Sequence, residues 1–126
     1  MRYDRRWERL KLQPLLRGLM DHTAPVQVVN LSLAGAMVEQ PEPLTTGRPC
    51  VILLKLPQGD LHVEATIAWC RPVHVYHSHA DGGALRFRAG LSFHPLPSVA
   101  LARLRTFLVA ERATRVAPTA AWVPAT

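Results

Sequence analysis

The sequence predicts a mainly β fold, a small closed antiparallel β-barrel followed by one C-terminal packing helix. Several short segments alternate polar and apolar residues, and clusters rich in Pro, Gly, Asn and Asp separate them. After Pro97 the apolar spacing changes to that of a helix. The chain has 126 residues, the length of one domain. Its 48% hydrophobic residues can form a core, which argues against disorder throughout.

We expect five to seven strands. Residues 9–13 alternate polar and apolar side chains, and Pro14 predicts an edge or a bulge before residues 15–20 resume the strand. Further strands are expected at residues 26–29, 36–39, 50–56, 61–70, 73–79 and 84–93. Residues 57–60 and 81–83 have the composition of hairpin turns.

The helix is expected to begin at Ser98, whose hydroxyl can cap it, and to end near Arg112. Its apolar face consists of Leu101, Leu104, Phe107 and Leu108. Residues 113–126 have two prolines and little periodicity, which predicts a flexible tail. The chain is therefore divided into a mobile basic arm (1–9), a barrel with its helix (10–112) and the tail (113–126).

The charge is concentrated at one end of the chain. The formal net charge is +6, from 15 Lys+Arg and 9 Asp+Glu, and all cations except Lys11 and Lys55 are arginine. Residues 1–18 hold six cations and two acidic residues, a balance of +4 (6 − 2). Guanidinium binds phosphate with two hydrogen bonds and stacks on flat rings, so this arm favours a phosphate-bearing partner. A GC-rich genome is the alternative explanation for the scattered later arginines.

Two short motifs carry the functional prediction. Arg5 and Arg9 have R-x-x-x-R spacing, with Arg6 beside the first, and Arg2 with Arg6 fits the same spacing. Paired guanidinium groups can bind several phosphate oxygens or the O6/N7 edge of guanine.

The second motif is N-x-S-x-x-G, formed by Asn30, Ser32 and Gly35. The amide and the hydroxyl can contact a base or phosphate, or they can fix the turn locally. The glycine allows a sharp turn or the close approach of a ligand.

In their order and spacing these motifs resemble those of the PilZ domain family, the bacterial receptor domain for cyclic di-GMP. Residues 65–69, which end in Trp69, and residues 87–93 are also similar to strands of that family. The resemblance covers about residues 2–110. It implies a small antiparallel six-stranded β-barrel of the split-barrel type. It further implies that cyclic di-GMP is bound by Arg5, Arg6, Arg9, Asn30, Ser32 and Gly35, with Arg2 and Trp69 as additional candidates.

The resemblance also implies a role. The chain would be a cytoplasmic bacterial receptor that couples cyclic di-GMP binding to a partner protein controlling motility, biofilm or surface polymers. One alternative is a PilZ-like adaptor that binds only protein. Another is a basic barrel that binds RNA or single-stranded DNA, although such proteins usually interleave aromatic and basic residues, and only 6% of this chain is aromatic. Trp69 could stack near the ligand or pack as a buried strand residue.

The sequence predicts neither an enzyme nor a metal site. His74, His77 and His79 alternate on a strand, but no acidic or cysteine residue lies at zinc-like spacing from them, which favours a polar hairpin. Cys50 and Cys70 lie in apolar strands, as small core residues do. No apolar run approaches the roughly 20 residues of a membrane span, and no signal-peptide pattern follows the N-terminus.

Overall fold

The computed structural model describes residues 10–75 and 84–122 of the chain. Six antiparallel strands close into one barrel, and a single helix follows them. The elements are β1 (Leu10–Met20), β2 (Ala24–Leu31), β3 (Gly35–Gln40), β4 (Pro49–Leu56), β5 (Gly59–Val75), β6 (Ala84–Phe93) and α1 (Ser98–Trp122). Around the barrel their order is β1-β2-β3-β6-β5-β4, and β4 pairs with β1. The predicted six-stranded barrel with one C-terminal helix is confirmed.

Alternate side chains of the strands build the barrel core. In β4, Ile52 and Leu54 are fully buried, and in β5 the same is true of Ala65 and Ile67. The helix contributes Leu104, which is also fully buried and belongs to the same hydrophobic cluster. Because burying a leucine side chain stabilises the fold by about 2–3 kcal/mol, this contact helps to fix α1 against the barrel.

A polar contact also joins α1 to the barrel. The guanidinium of Arg103 donates hydrogen bonds to the carbonyl oxygens of Gly59 (2.8 Å) and Asp60 (3.0 Å). These carbonyls belong to the first two residues of β5, just after the turn from β4. The helix is therefore tied to the barrel by this polar contact and by its apolar face, where Ala100, Phe107 and Leu108 also pack against the core.

Pairing between β1 and β2 is irregular where Pro14 interrupts the alternation. The register runs through Lys11↔Asn30 and then shifts before it resumes at Leu16↔Val28. Proline has no N–H to donate to a ladder, so an irregularity is the expected accommodation. The predicted disruption is confirmed, and β1 continues through it to Met20.

The predicted strands at 61–70 and 73–79 are wrong in their division, because β5 is a single strand from Gly59 to Val75. It pairs with β4 only as far as Thr66 and with β6 over the rest of its length. At Pro72, therefore, β5 pairs only with β6, and its opposite edge has no partner among the described strands. Proline is tolerated there because no backbone N–H is needed on the unpaired edge. Residues 76–83, with His77 and His79, lie outside the described part of the chain.

The helix extends to Trp122 and does not end near Arg112. The prediction gave more weight to Pro118 than to the alanines around it, although alanine has the highest helix propensity. Residues 113–122 are thus helical, although their lack of apolar periodicity predicts a helix that ends before them. The flexibility assigned to residues 113–126 stays a prediction, and residues 123–126 lie outside the described part of the chain.

Length and apolarity together decide whether a helix can cross a membrane. Within residues 10–75 and 84–122, no helix has enough of both.

Candidate functional site

The turn between β2 and β3 is held by Ser32. Its hydroxyl oxygen accepts hydrogen bonds from the backbone N–H groups of Ala34 (3.0 Å) and Gly35 (3.1 Å). Its own N–H donates to the Gly35 carbonyl at 2.9 Å, and the residue is only 2% exposed. Of the two uses of a serine in this motif, local stabilisation of the turn is the one seen here.

Gly35 is required by close packing between strands. It pairs with Ser92 of β6, and a Cβ at this position would lie 2.2 Å from the carbonyl oxygen of Leu91. Real Cβ atoms essentially never come so close to backbone. The glycine therefore lets β3 approach β6 directly after the turn.

Asn30 belongs to a row of residues that crosses the barrel. The registers connect Lys11↔Asn30, Asn30↔Met37, Met37↔Gly90 and Gly90↔Trp69. Core residues lie next to these positions along the strands, so this outer row faces away from the core. Strands are spaced by about 4.8 Å, so Asn30 and Trp69 lie three spacings, about 14 Å, apart along the curved surface of the closed barrel.

Trp69 lies at one end of the outer row in a fixed position. It follows a bulge in β5, where the register with β6 shifts between Ile67 and Trp69. A Cβ at Gly90 would come within 2.2 Å of the indole Nε1, so the ring lies directly on the glycine. The Arg71 guanidinium carbon lies 4.9 Å from the ring centroid, within the range of a cation–π contact. Trp69 is only partly buried and is therefore available to a ligand on the outer face.

A cavity of about 670 Å³ adjoins both the turn and Trp69. The turn contributes Ala34, β6 contributes Ser92, and the first turns of α1 contribute Leu101 and Arg105. Arg105 is exposed and, among the described residues of the lining, is the one basic side chain apart from the imidazole of His94. The cavity thus combines an aromatic ring, a guanidinium group and the backbone of the turn.

The outer surface beside this row is basic. Glu39 is 7% exposed, and its carboxylate accepts hydrogen bonds from Arg88 Nε (2.9 Å) and Nη2 (2.6 Å). Arg86 Nε lies 3.7 Å from the same carboxylate. Two cations thus share one anion, and Arg71 pairs opposite Arg88 in the register. The excess positive charge favours an anionic ligand.

Both cysteines are free thiols. Burial raises the pKa of the Cys50 thiol; the nearby charge of Asp21 raises it further, and Arg48 partly offsets these effects. The Cys70 sulfur accepts a hydrogen bond from the Leu44 N–H at 3.3 Å. Neither belongs to a metal cluster, since no group of three or more His, Cys, Asp or Glu side chains is close enough to hold a metal within the described ranges.

The predicted site residues fall into two groups. Asn30, Ser32, Gly35 and Trp69 lie on or beside the outer row. The other four, Arg2, Arg5, Arg6 and Arg9, lie outside the described part of the chain.

Comparison with known protein families decides where this barrel belongs. The PilZ domain family model matches residues 3–110. The chain belongs to the PilZ domain family. A comparison with curated proteins finds no match.

Solved structures share this PilZ fold at low sequence identity. The PilZ domain of YcgR from Escherichia coli, solved with c-di-GMP, has a TM-score of 0.70 and 19% identity, over 93% of this chain and 98% of that one. Apo MrkH from K. pneumonia has a TM-score of 0.68 and 13% identity, over 90% of this chain and 53% of that one. A MrkH structure described as a c-di-GMP-dependent transcription regulatory factor has a TM-score of 0.62 and 12% identity, over 81% of this chain and 48% of that one. This PilZ domain thus spans about half of MrkH.

Sequence reasoning missed several residues of the candidate site, which consists of the outer row and the cavity beside it. Lys11, Arg71 and Gly90 join it only through the strand registers, and Arg105 joins it through the packing of α1. Arg71 could have been found, because it follows Trp69 by two residues in a strand and so shares its face. The sequence carries no comparable signal for the contact between Trp69 and Gly90.

Proposed function

We propose that this PilZ domain is a cyclic di-GMP receptor that binds its ligand on the outer row, with the arginines of residues 1–9 as the second half of the site. One observation carries the proposal. The pair Leu10↔Leu31 places the point where the basic arm joins the barrel directly beside the turn that Ser32 holds.

Chain length limits how far the arm can reach. Arg9 directly precedes Leu10, and consecutive Cα atoms are about 3.8 Å apart, so the arm starts at the edge of the outer row. Arg5 is five residues from Leu10, which allows a reach of about 17 Å at most. Along the row, Leu10 on β1 lies three strand spacings, about 14 Å, from Gly90 and four, about 19 Å, from Trp69. The backbone at Arg5 and Arg6 can therefore reach a ligand that lies on the row between Asn30 and Gly90.

The residue types fit the ligand. Cyclic di-GMP carries two phosphates and two guanines. The guanidinium forks of Arg5, Arg6 and Arg9 would bind phosphate oxygens and guanine O6/N7 edges. The Asn30 amide offers a donor and an acceptor to a base edge, and the partly exposed Trp69 ring offers a stacking surface.

Ser32 and Gly35 would act by shaping the turn. The Ser32 hydroxyl is engaged with the turn backbone, and Gly35 sets the spacing of β3 and β6. Their role in binding would be to hold Asn30 and the exposed backbone of the turn in position. Arg2 extends the same arm and would add a further cation.

Ligand binding would also produce the output. When the phosphates neutralise the arm, its arginines can close over the ligand and the barrel, which changes the surface offered to a partner protein. The receptor would act in the bacterial cytoplasm, on a partner that controls motility, biofilm or surface polymers.

Isothermal titration calorimetry of the whole chain with cyclic di-GMP tests the proposal. We expect saturable binding by the unmodified protein and its loss in Arg5→Ala and in Arg9→Ala. Arg17→Ala is the matched control, because Arg17 is an exposed β1 arginine outside the outer row, and it should bind normally. Absence of heat with the unmodified protein would favour the adaptor that binds only protein.

A further inference from the structure

The barrel has a second cavity at the opposite end of β2 from the turn that Ser32 holds. β2 pairs with β1 from Ala24 onward, but its pairing with β3 begins only at Gln27↔Glu39. The first residues of β2 are therefore not paired with the end of β3 at Gln40, and the two strands lie apart there. The gap opens a cavity of about 570 Å³, which is within the usual range for small-molecule sites.

The walls of this cavity are mostly apolar. They are formed by Leu19, Ala24, Pro25, Val26 and Pro41. Val26 is 4% exposed and belongs to the core cluster, so the inner wall is continuous with the barrel core. An apolar group that enters here would leave water, which is favourable in proportion to the area removed from solvent.

Within the described part of the chain, the rim carries three cations, Arg17, Lys55 and Arg86, and one acid, Glu42. The β1–β4 register ends at Gly18↔Leu54, so Arg17 and Lys55 lie one residue beyond its last pair. Like charges opposite each other across a strand pair repel.

The charges on these rim cations are only partly balanced. Lys55 has Asp60 at 3.2 Å, and Arg86 lies 3.7 Å from Glu39. Arg17 makes no ion pair with any residue in the described ranges. An anion at the rim would relieve the repulsion between Arg17 and Lys55.

One buried polar atom among the lining residues has no partner. Gln40 is 4% exposed, and its Nε2 donates to the Glu42 carbonyl at 2.7 Å. Its Oε1 is buried and accepts no hydrogen bond from the described residues. A buried acceptor without a donor is unfavourable, so a ligand that supplies a donor would be preferred here.

We propose that this cavity is a second ligand site, which binds a small amphipathic anion with an apolar chain and a hydroxyl group. The chain would lie against the apolar walls, the anionic group between Arg17 and Lys55, and the hydroxyl would donate to Gln40 Oε1 once the Gln40 amide turns toward the cavity. The site is separate from the outer row and does not depend on cyclic di-GMP binding.

The probes are decanoate and 3-hydroxydecanoate, titrated below their micelle concentrations into the whole chain by calorimetry. Decanol and decyltrimethylammonium, with similar chains but neutral and cationic heads, are the controls. We expect one saturable site for decanoate, with roughly tenfold weaker binding of decanol, as expected from the loss of about 1.4 kcal/mol. Decyltrimethylammonium should bind still more weakly. Equal affinity for all three head groups would overturn the proposal.

Variants test the assigned residues. Arg17→Gln combined with Lys55→Gln should reduce decanoate affinity to that of decanol, whereas Arg9→Ala should leave it unchanged. The preference for 3-hydroxydecanoate over decanoate should disappear in Gln40→Met. If Gln40→Met does not fold, Ala24→Phe is the second test, because Ala24 is exposed at the mouth and its replacement blocks entry. Unchanged decanoate binding in Ala24→Phe would contradict the site.

Discussion

The indole of Trp69 lies directly on the Cα of Gly90, so close that a Cβ there would come within 2.2 Å of Nε1. The two residues are register partners on β5 and β6, and a bulge in β5 precedes the tryptophan. This contact fixes an aromatic ring on the outer face of the barrel, at the far end of the row that begins beside the basic arm.

Gly90→Ala should displace the Trp69 ring. The added methyl group has no room, so we expect a loss of about 1–3 kcal/mol in the free energy of unfolding, together with weaker cyclic di-GMP binding. Urea denaturation measures the first effect and calorimetry the second. Val109→Ala is the control, because this side chain is 62% exposed on α1 and its truncation should change the free energy of unfolding by less than about 0.5 kcal/mol. Unchanged stability and affinity in Gly90→Ala would contradict the proposed role of this contact.

Ser32→Ala should loosen the β2–β3 turn. Two backbone N–H groups would lose their acceptor, and we expect a loss of about 1–3 kcal/mol in unfolding free energy. Thr23→Ala, in the exposed β1–β2 turn, should change the free energy of unfolding by less than about 0.5 kcal/mol. Urea denaturation of both variants measures this difference. A Ser32→Ala protein as stable as the unmodified protein would show that the hydroxyl does not hold the turn.

Leu104→Ala tests whether α1 is part of the fold. The side chain is fully buried, so its truncation should cost about 2–5 kcal/mol. Val99→Ala is the matched change on the same helix, where the side chain is 72% exposed, and it should cost under about 0.5 kcal/mol. Thermal and urea unfolding followed by circular dichroism measure both. Equal effects would mean that the helix does not depend on its buried face.

Much of the fold follows from local pattern. The apolar run at residues 50–56 predicts β4, and the alternation at residues 61–67 predicts the first half of β5. The spacing of Asn30, Ser32 and Gly35 predicts the turn, and each of these signals lies within a few residues. The continuation of β5 through Pro72 was missed. Whether a strand tolerates proline depends on which partner it has at that position, and that partner comes from elsewhere in the chain.

The candidate site was predicted only in part for the same reason. The motif identifies Asn30, but its alignment with Trp69 requires two intervening strands in the order β3-β6 and a bulge just before the tryptophan. A shift of one residue would turn Trp69 toward the core. Sequence alone could therefore not decide between a stacking and a buried tryptophan.

The Cys50 thiol should make stability depend on pH at the alkaline end. Burial raises its pKa in the folded protein above the ordinary value of 9.0. The unfolded chain then loses the thiol proton first as the pH rises, so the stabilisation is present below about pH 9 and is lost above it. Urea denaturation from pH 7 to 10 should show a smaller loss of stability in Cys50→Ala than in the unmodified protein. Parallel curves for the two proteins would contradict this.

Tryptic digestion tests the closure of the basic arm. If Arg5, Arg6 and Arg9 close over cyclic di-GMP, cleavage after these residues should slow at saturating ligand. Cleavage after Lys55, whose peptide bond lies in the paired strand β4 and is cut only when the barrel unfolds, measures the general stabilisation by the ligand. Mass spectrometry of the fragments gives both rates. Equal slowing at all sites would indicate general stabilisation without closure of the arm.

Amide and indole NMR shifts during a cyclic di-GMP titration test the central claim most directly. The account predicts that the largest shifts fall on Lys11, Asn30, Met37, Gly90 and the Trp69 indole N–H, and that Ala24 and Val26 at the second cavity change little. Shifts centred on Ala24 and Val26, or no shifts at saturating ligand, would contradict the assignment of the outer row as the binding surface.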